Sequence, residues 1–147
     1  MKRTAMTAAT TALVLMLGLA GAGYAETHQV QMLNRGEAGP MVFEPAFLRV
    51  APGDTVHFVA TDRGHNAESI DGMIPAGAEA FTSRVGQELE VTLDTEGVYG
   101  VRCTPHFAMG MVMTIVVGEA SAAPEDFLAG RIPPRARERF EAQLGNL

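Results

Sequence analysis

The chain has one cysteine, Cys103, in 147 residues, so it cannot close an internal disulfide. Lysine is absent beyond Lys2, and the remaining positive charge is all arginine, set against 17 acidic residues. The net charge is −6. An acidic body of this kind repels nucleic acid and acidic membrane surfaces, which excludes a nucleic-acid function. Internal repeats and low-complexity tracts are missing too. The one extended apolar run, from about Thr11 to Gly21, follows Lys2 and Arg3 and leads to small residues ending at Ala25. It is too short and wrongly flanked for a membrane span, and reads as a secretory signal peptide over residues 1–25. Ala20-Gly21-Ala22 offers a second acceptable cleavage point. Loss of Lys2 and Arg3 makes the mature protein more acidic still. It leaves about 120 residues, one domain with room for a core.

What is present centres on that lone thiol. Exported proteins usually commit cysteine to disulfides. A single one is either a buried, inert thiol or a thiolate that a metal protects. The stretch Cys103-Thr104-Pro105-His106-Phe107-Ala108-Met109-Gly110-Met111 offers a thiol, an imidazole and two thioethers. These soft or borderline donors suit copper better than calcium or magnesium. The stretch lies between apolar, β-rich runs at 97–102 and 112–117, and so reads as a loop at the end of a sheet. His65, followed by Asn66, supplies a second imidazole from a separate loop. Two His, one Cys and a weak axial Met form the donor set of a blue-copper electron-transfer site. Each donor alone is weak evidence, and with nine Met residues a Met near a His arises easily by chance. Met109 and Met111 compete for the axial place.

Along the mature chain, short apolar runs alternate with turn signals, which predicts an all-β sandwich. Strands are expected at 28–33, in two halves of 41–50 broken at Pro45, and at 55–60, 88–93, 98–103 and 111–117. Turns are expected at Asn34-Arg35-Gly36, Ala51-Pro52-Gly53-Asp54, Thr61-Asp62-Arg63-Gly64 and Asp94-Thr95-Glu96-Gly97. Residues 70–86 read as loop with a short strand or helical turn. The two-residue period puts Tyr99, Val101 and Cys103 inward and Arg102 toward solvent. After Gly118 one helical turn is expected at 124–128. A helix then opens at Pro134, with Ala136, Phe140 and Leu144 on one face and Gly145 at its end. This tail, 119–147, is expected to pack on a sandwich spanning 26–118.

The run from Cys103 to Met111 is one of four segments that together resemble the pseudoazurins, a family of cupredoxins. The others are Val42-Phe43-Glu44-Pro45, Val50-Ala51-Pro52-Gly53-Asp54-Thr55-Val56 and Gly64-His65-Asn66. The resemblance covers essentially the whole mature chain, including the helical tail. It implies a cupredoxin-like Greek-key β-sandwich of about eight strands holding one copper ion that cycles between Cu+ and Cu2+. His65, Cys103, His106 and Met111 are then the metal ligands, whereas the shorter amicyanin-type loop would select Met109. It further implies a periplasmic, monomeric carrier of single electrons, with copper nitrite reductase or a cytochrome c as partner. Asn66 is expected to hydrogen-bond the Cys103 loop, and Met41 and Phe43 to flank a ligand ring or pack in the core. His28 and His57 are expected to be structural or exposed. Where the family commonly carries lysines around the exposed His, this chain has Arg35, Arg63 and Arg102, but also Asp71 and Thr82.

Three other functions weigh less. Copper enzymes of related build usually bridge two centres through a His directly before the Cys, and this chain has Arg102 there. Copper delivery or storage favours exchangeable Met- or Cys-rich sites. A cysteine hydrolase needs base, orienting group and oxyanion donors together, which three residues along one tight loop do not provide.

Overall fold

The computed structural model describes residues 23–147, and the expected leader up to residue 22 lies outside them. Alternating apolar and polar residues give each strand of the first sheet one face to bury. β1 (Thr27–Gly36) buries Val30 and Met32, β2 (Gly39–Glu44) contributes Phe43, and β4 (Asp54–Val59) contributes Val56 and Phe58. With β6 (Leu89–Leu93) they form a sheet in the order β2-β1-β4-β6, in which β1 runs parallel to β4. The second sheet joins β3 (Phe47–Val50), β8 (Val112–Val117), β7 (Gly97–Arg102) and β5 (Glu68–Ser69) in the order β3-β8-β7-β5. The two sheets close over Tyr99, Val101, Met113 and Ile115 from the second. The result is an eight-stranded sandwich, as expected. The chain changes sheets at Pro45, where the expected break falls between β2 and β3.

Several boundaries differ from expectation. β1 continues through Asn34-Arg35-Gly36, since Arg35 pairs with Pro40 and Gly36 with Gly39. The turn is therefore Glu37-Ala38, followed by Gly39 at a φ of 111°. Residues 70–86 are irregular, and the short strand precedes them as β5, with one bridge back from Thr82 to Glu68. Residues 124–128 make a turn closed by the Phe127 N–H on the Pro124 carbonyl, not a helix. α1 (Pro134–Leu144) ends at Gly145 with a φ of −63°, so the left-handed freedom of that glycine is not used.

The central strands of the second sheet, β7 and β8, are buried on both faces, which the alternation argument missed. The sheet's outer side carries Val98 and Val112 under Ile70, Met73, Phe127, Ala136 and Phe140. Gly100 lets this layer close, because a Cβ there would come within 2.6 Å of Met73. α1 lays Ala136 and Phe140 on β8, and burying a Phe side chain contributes about 1.5–3 kcal/mol. Gln143, 8% exposed, donates to the Val112 carbonyl and accepts from the Thr114 hydroxyl, so the helix is also fixed along its axis. Among the described residues no helix is long and apolar enough to cross a membrane.

Candidate metal centre

β7 ends at Arg102, and the pleat leaves Cys103 fully buried beneath the first sheet. The next residues, Thr104–Met109, wind into tight 3-10 turns, for which Pro105 is suited by its fixed φ. Gly110 (φ 85°) then turns the chain into Met111 and β8. Two backbone bonds close the loop: Cys103 N–H to Met111 O at 2.9 Å, and Met111 N–H to His106 O at 3.1 Å. His65 arrives from the loop after β4 and is fully buried.

These elements bring three donor atoms together. The Nδ1 atoms of His65 and His106 lie 3.1 Å apart, and the Cys103 Sγ lies 3.7 Å from the first and 3.5 Å from the second. Among the described residues this is the one group of such side chains that converges on a metal-sized point. A point equidistant from all three lies about 2.0 Å from each, close to a first-row metal–nitrogen bond. The tautomer fits as well. His65 Nε2 donates to Asn34 Oδ1 at 2.9 Å, so its Nδ1 presents a lone pair to the centre. Two imidazole nitrogens and a sulfur facing one another suit a cation between them better than empty space.

Burial, with His106 alongside, holds His65 below the ordinary imidazole range. Burial pushes the Cys103 thiol up, against the backbone N–H groups of Asn66 and His106 that point at its sulfur. Neither group ionises readily by itself, so a thiolate here needs a metal to displace its proton. Met111 is fully buried, whereas Met109 is 43% exposed. His106 is half-buried, at the rim.

Asn66 joins the two donor loops as expected. Its Oδ1 accepts the Thr104 N–H at 2.7 Å, and its Nδ2 donates to Ser83 O and Thr104 Oγ1. The Thr104 hydroxyl passes on to Glu68, which Arg102 also meets at 3.1 Å. Burial alone would raise the Glu68 carboxyl, but Thr104 and Arg102 outweigh it and hold it below the usual range. Arg102 also lies over the Phe107 ring at 5.2 Å. Its charge is therefore already paired, while Arg35 and Arg63 stay exposed. Phe43 is core and packs edge-on against Phe58, and Met41 packs against the same cluster. His28 bonds Asp54 and His57 bonds Glu88, apart from the three converging donors.

Asn34, Thr104 and Glu68 went unnoticed in the sequence. Asn34 looks there like an ordinary turn residue, and only the paired backbone of β1 and β2 shows what it reaches.

Residues 30–118 match the model of the copper-binding plastocyanin/azurin family. The chain is 47% identical over 132 residues to pseudoazurin of Paracoccus pantotrophus, covering 90% of this chain and 91% of that protein. It is 49% identical over 117 residues to pseudoazurin of Methylorubrum extorquens, covering 80% and 78%. The crystal structure of pseudoazurin from Methylobacterium extorquens AM1 superposes with a TM-score of 0.77 at 42% identity, covering 82% of this chain and 98% of that one.

Proposed function

The chain belongs to the pseudoazurins, copper-binding cupredoxins of the plastocyanin/azurin family and electron carriers rather than enzymes, and on that premise we propose its ligands, compartment and partner. His65, Cys103, His106 and Met111 hold the copper. The observation that carries this is the convergence of two Nδ1 atoms and one Sγ on a single point. The burial of Met111 and the exposure of Met109 favour Met111 as the axial donor.

Copper, when bound, supplies a one-electron couple. The chain's part is to make both oxidation states acceptable to one geometry. Cys103 and Met111 sit on paired backbone at the mouths of β7 and β8, so the main chain that carries each sulfur is fixed by the ladder. Asn34 fixes the His65 ring, and Asn66 fixes the Cys103 loop. Apolar residues of the sandwich core keep water from three of the four donors. The half-buried His106 leaves the remaining donor at the surface, where an electron has the shortest way in or out.

The leader-like N-terminal segment supports export to the periplasm, with cleavage after Ala25. There the protein passes electrons to a denitrification enzyme such as copper nitrite reductase, or exchanges them with a cytochrome c. Exposed Arg35 and Arg63 steer an acidic partner toward the His106 rim, with Arg102 contributing less because Glu68 pairs it.

Adding copper to the metal-free protein and recording absorption and EPR spectra tests the ligand reading. One equivalent should produce an intense thiolate-to-copper band and reversible one-electron reduction; a colourless, redox-silent product overturns it. Transfer to a nitrite reductase should slow as salt is added, and a rate indifferent to ionic strength removes the arginine steering.

A further inference from the structure

Arg139, on α1 beside the buried Phe140, has backbone carbonyls as its hydrogen-bond acceptors. Its Nη1 donates to the Met41 and Gly110 carbonyls, each at 2.7 Å, and its Nη2 to the Pro40 carbonyl at 3.0 Å. Bonds from a guanidinium are charge-assisted and roughly twice as strong as neutral ones. A planar fork also fixes its acceptors relative to one another in a way that a lysine ammonium does not.

The three acceptors belong to segments far apart in sequence, and both segments flank the metal centre. Gly110 immediately precedes Met111, and its carbonyl also accepts the Val112 N–H. Met41 stands at a break in the β1–β2 ladder. Pairing runs through Leu33 with Val42 and resumes at Arg35 with Pro40, and Met41 takes a left-handed φ of 51°, uncommon for a residue with a side chain. Opposite Met41 in that gap is Asn34, whose own N–H goes to Asp62 and whose side chain holds His65. Arg139 therefore ties the backbone next to one donor to the backbone across from the residue that orients another.

We propose that Arg139 is a positioning residue for the copper centre, clamping the Gly110–Met111 bend to the Met41 gap and so setting how Met111 and His65 meet the metal. This rests on the reading of Met111 as the axial ligand. The tail helix is then part of the metal site's mechanics and more than a cover for the outer sheet.

The test compares the copper-loaded wild type with R139M and R139K, and with F140L as a variant that loosens the same helix without touching the three carbonyls. R139M should keep its copper while its visible band pattern, EPR parameters and reduction potential all shift. Amide exchange at Met111 in the metal-free protein should rise about tenfold. F140L should lower Tm and leave the spectra as they are. R139K should recover Tm, yet keep a shifted spectrum, because a lysine ends one bond short of the Nη1 that meets both the Met41 and Gly110 carbonyls and has no second nitrogen for Pro40. Wild-type spectra and potential in R139M, or in R139K should R139M not fold, overturn the proposal and leave Arg139 a helix anchor only. M111L separates the two readings. If M111L alone leaves the spectra unchanged, the axial assignment fails and the clamp is judged on amide exchange at Met111. If M111L shifts them, R139M should add less in that background than in the wild type, the remainder coming through His65, and fully additive shifts overturn action through Met111.

Discussion

Asn66 is 4% exposed and joins the His65 loop to the Cys103 loop, so Asn66→Ala cuts the joint between two donor segments. Truncation leaves the Thr104 N–H and the Ser83 carbonyl without the amide that served them, the first at 2.7 Å and the second at 3.2 Å. A buried group deprived of its partner costs about 1–3 kcal/mol, and because Thr104 is exposed and Ser83 part-buried the pair together lies near the low end, at about 2–3 kcal/mol. For a domain of this size each kcal/mol moves Tm by about 3–5 °C, which gives a fall of about 6–15 °C. These bonds run between loops and not to a metal, so the loss should appear undiminished in the copper-free protein. Copper affinity should fall roughly 10–100-fold, as when other residues that orient ligands are removed. Calorimetry on both forms, with competition titration of copper, reads all three quantities. A copper-free variant that melts with the wild type would refute the idea that Asn66 holds the site closed in advance.

Three further outcomes follow from the same geometry. Met111→Leu should change the visible spectrum and the potential far more than Met109→Leu, since the first is buried and the second half-exposed; the reverse ranking reassigns the axial donor. Copper must displace the proton that burial helps Cys103 retain, so affinity should rise about tenfold per pH unit below the thiol's raised pKa. A competition titration giving the same affinity between about pH 6 and 8 contradicts this. The backbone N–H of Glu26, then His28 and the Ala51 N–H, hold Asp54 down to about 2. Its ordinary value is about 3.9, so the stability it adds is complete above about pH 4 and is lost as pH falls through about 2. Asp54→Asn should therefore flatten the acid limb of a denaturant-derived stability curve, and an unchanged limb counts against the network.

Much of the sandwich was legible because period-two alternation reports a half-buried strand directly. Leu89, Val91 and Leu93 in β6 are a plain instance. Where a strand is covered on both faces that signal disappears, as in Val112–Val117, every residue of which is buried. His65, Cys103 and His106 could be named in advance because their donor chemistry is scarce in this chain. Of the groups that hold them, Asn66 could be named too, from its place beside His65, and the others could not. Asn34 acts through a gap in a ladder, Glu68 through a threonine hydroxyl, and Arg139 through carbonyls that carry no side-chain identity at all. Backbone acceptors leave no mark in an amino-acid sequence, so residues that work through them stay invisible until the chain is folded.

The close seat of Gly110 on α1 bears on how such centres can be re-engineered. A Cβ at Gly110 would come within 2.9 Å of the Arg135 side chain and 3.1 Å of its carbonyl oxygen. The segment between Cys103 and Met111 is consequently no free-standing cassette. A shorter graft would lose the seat of Gly110 against Arg135, while a longer one would have to climb over the helix's first turn. Transplants that carry the loop together with residues 134–139 respect this fit, and those that carry the loop alone do not.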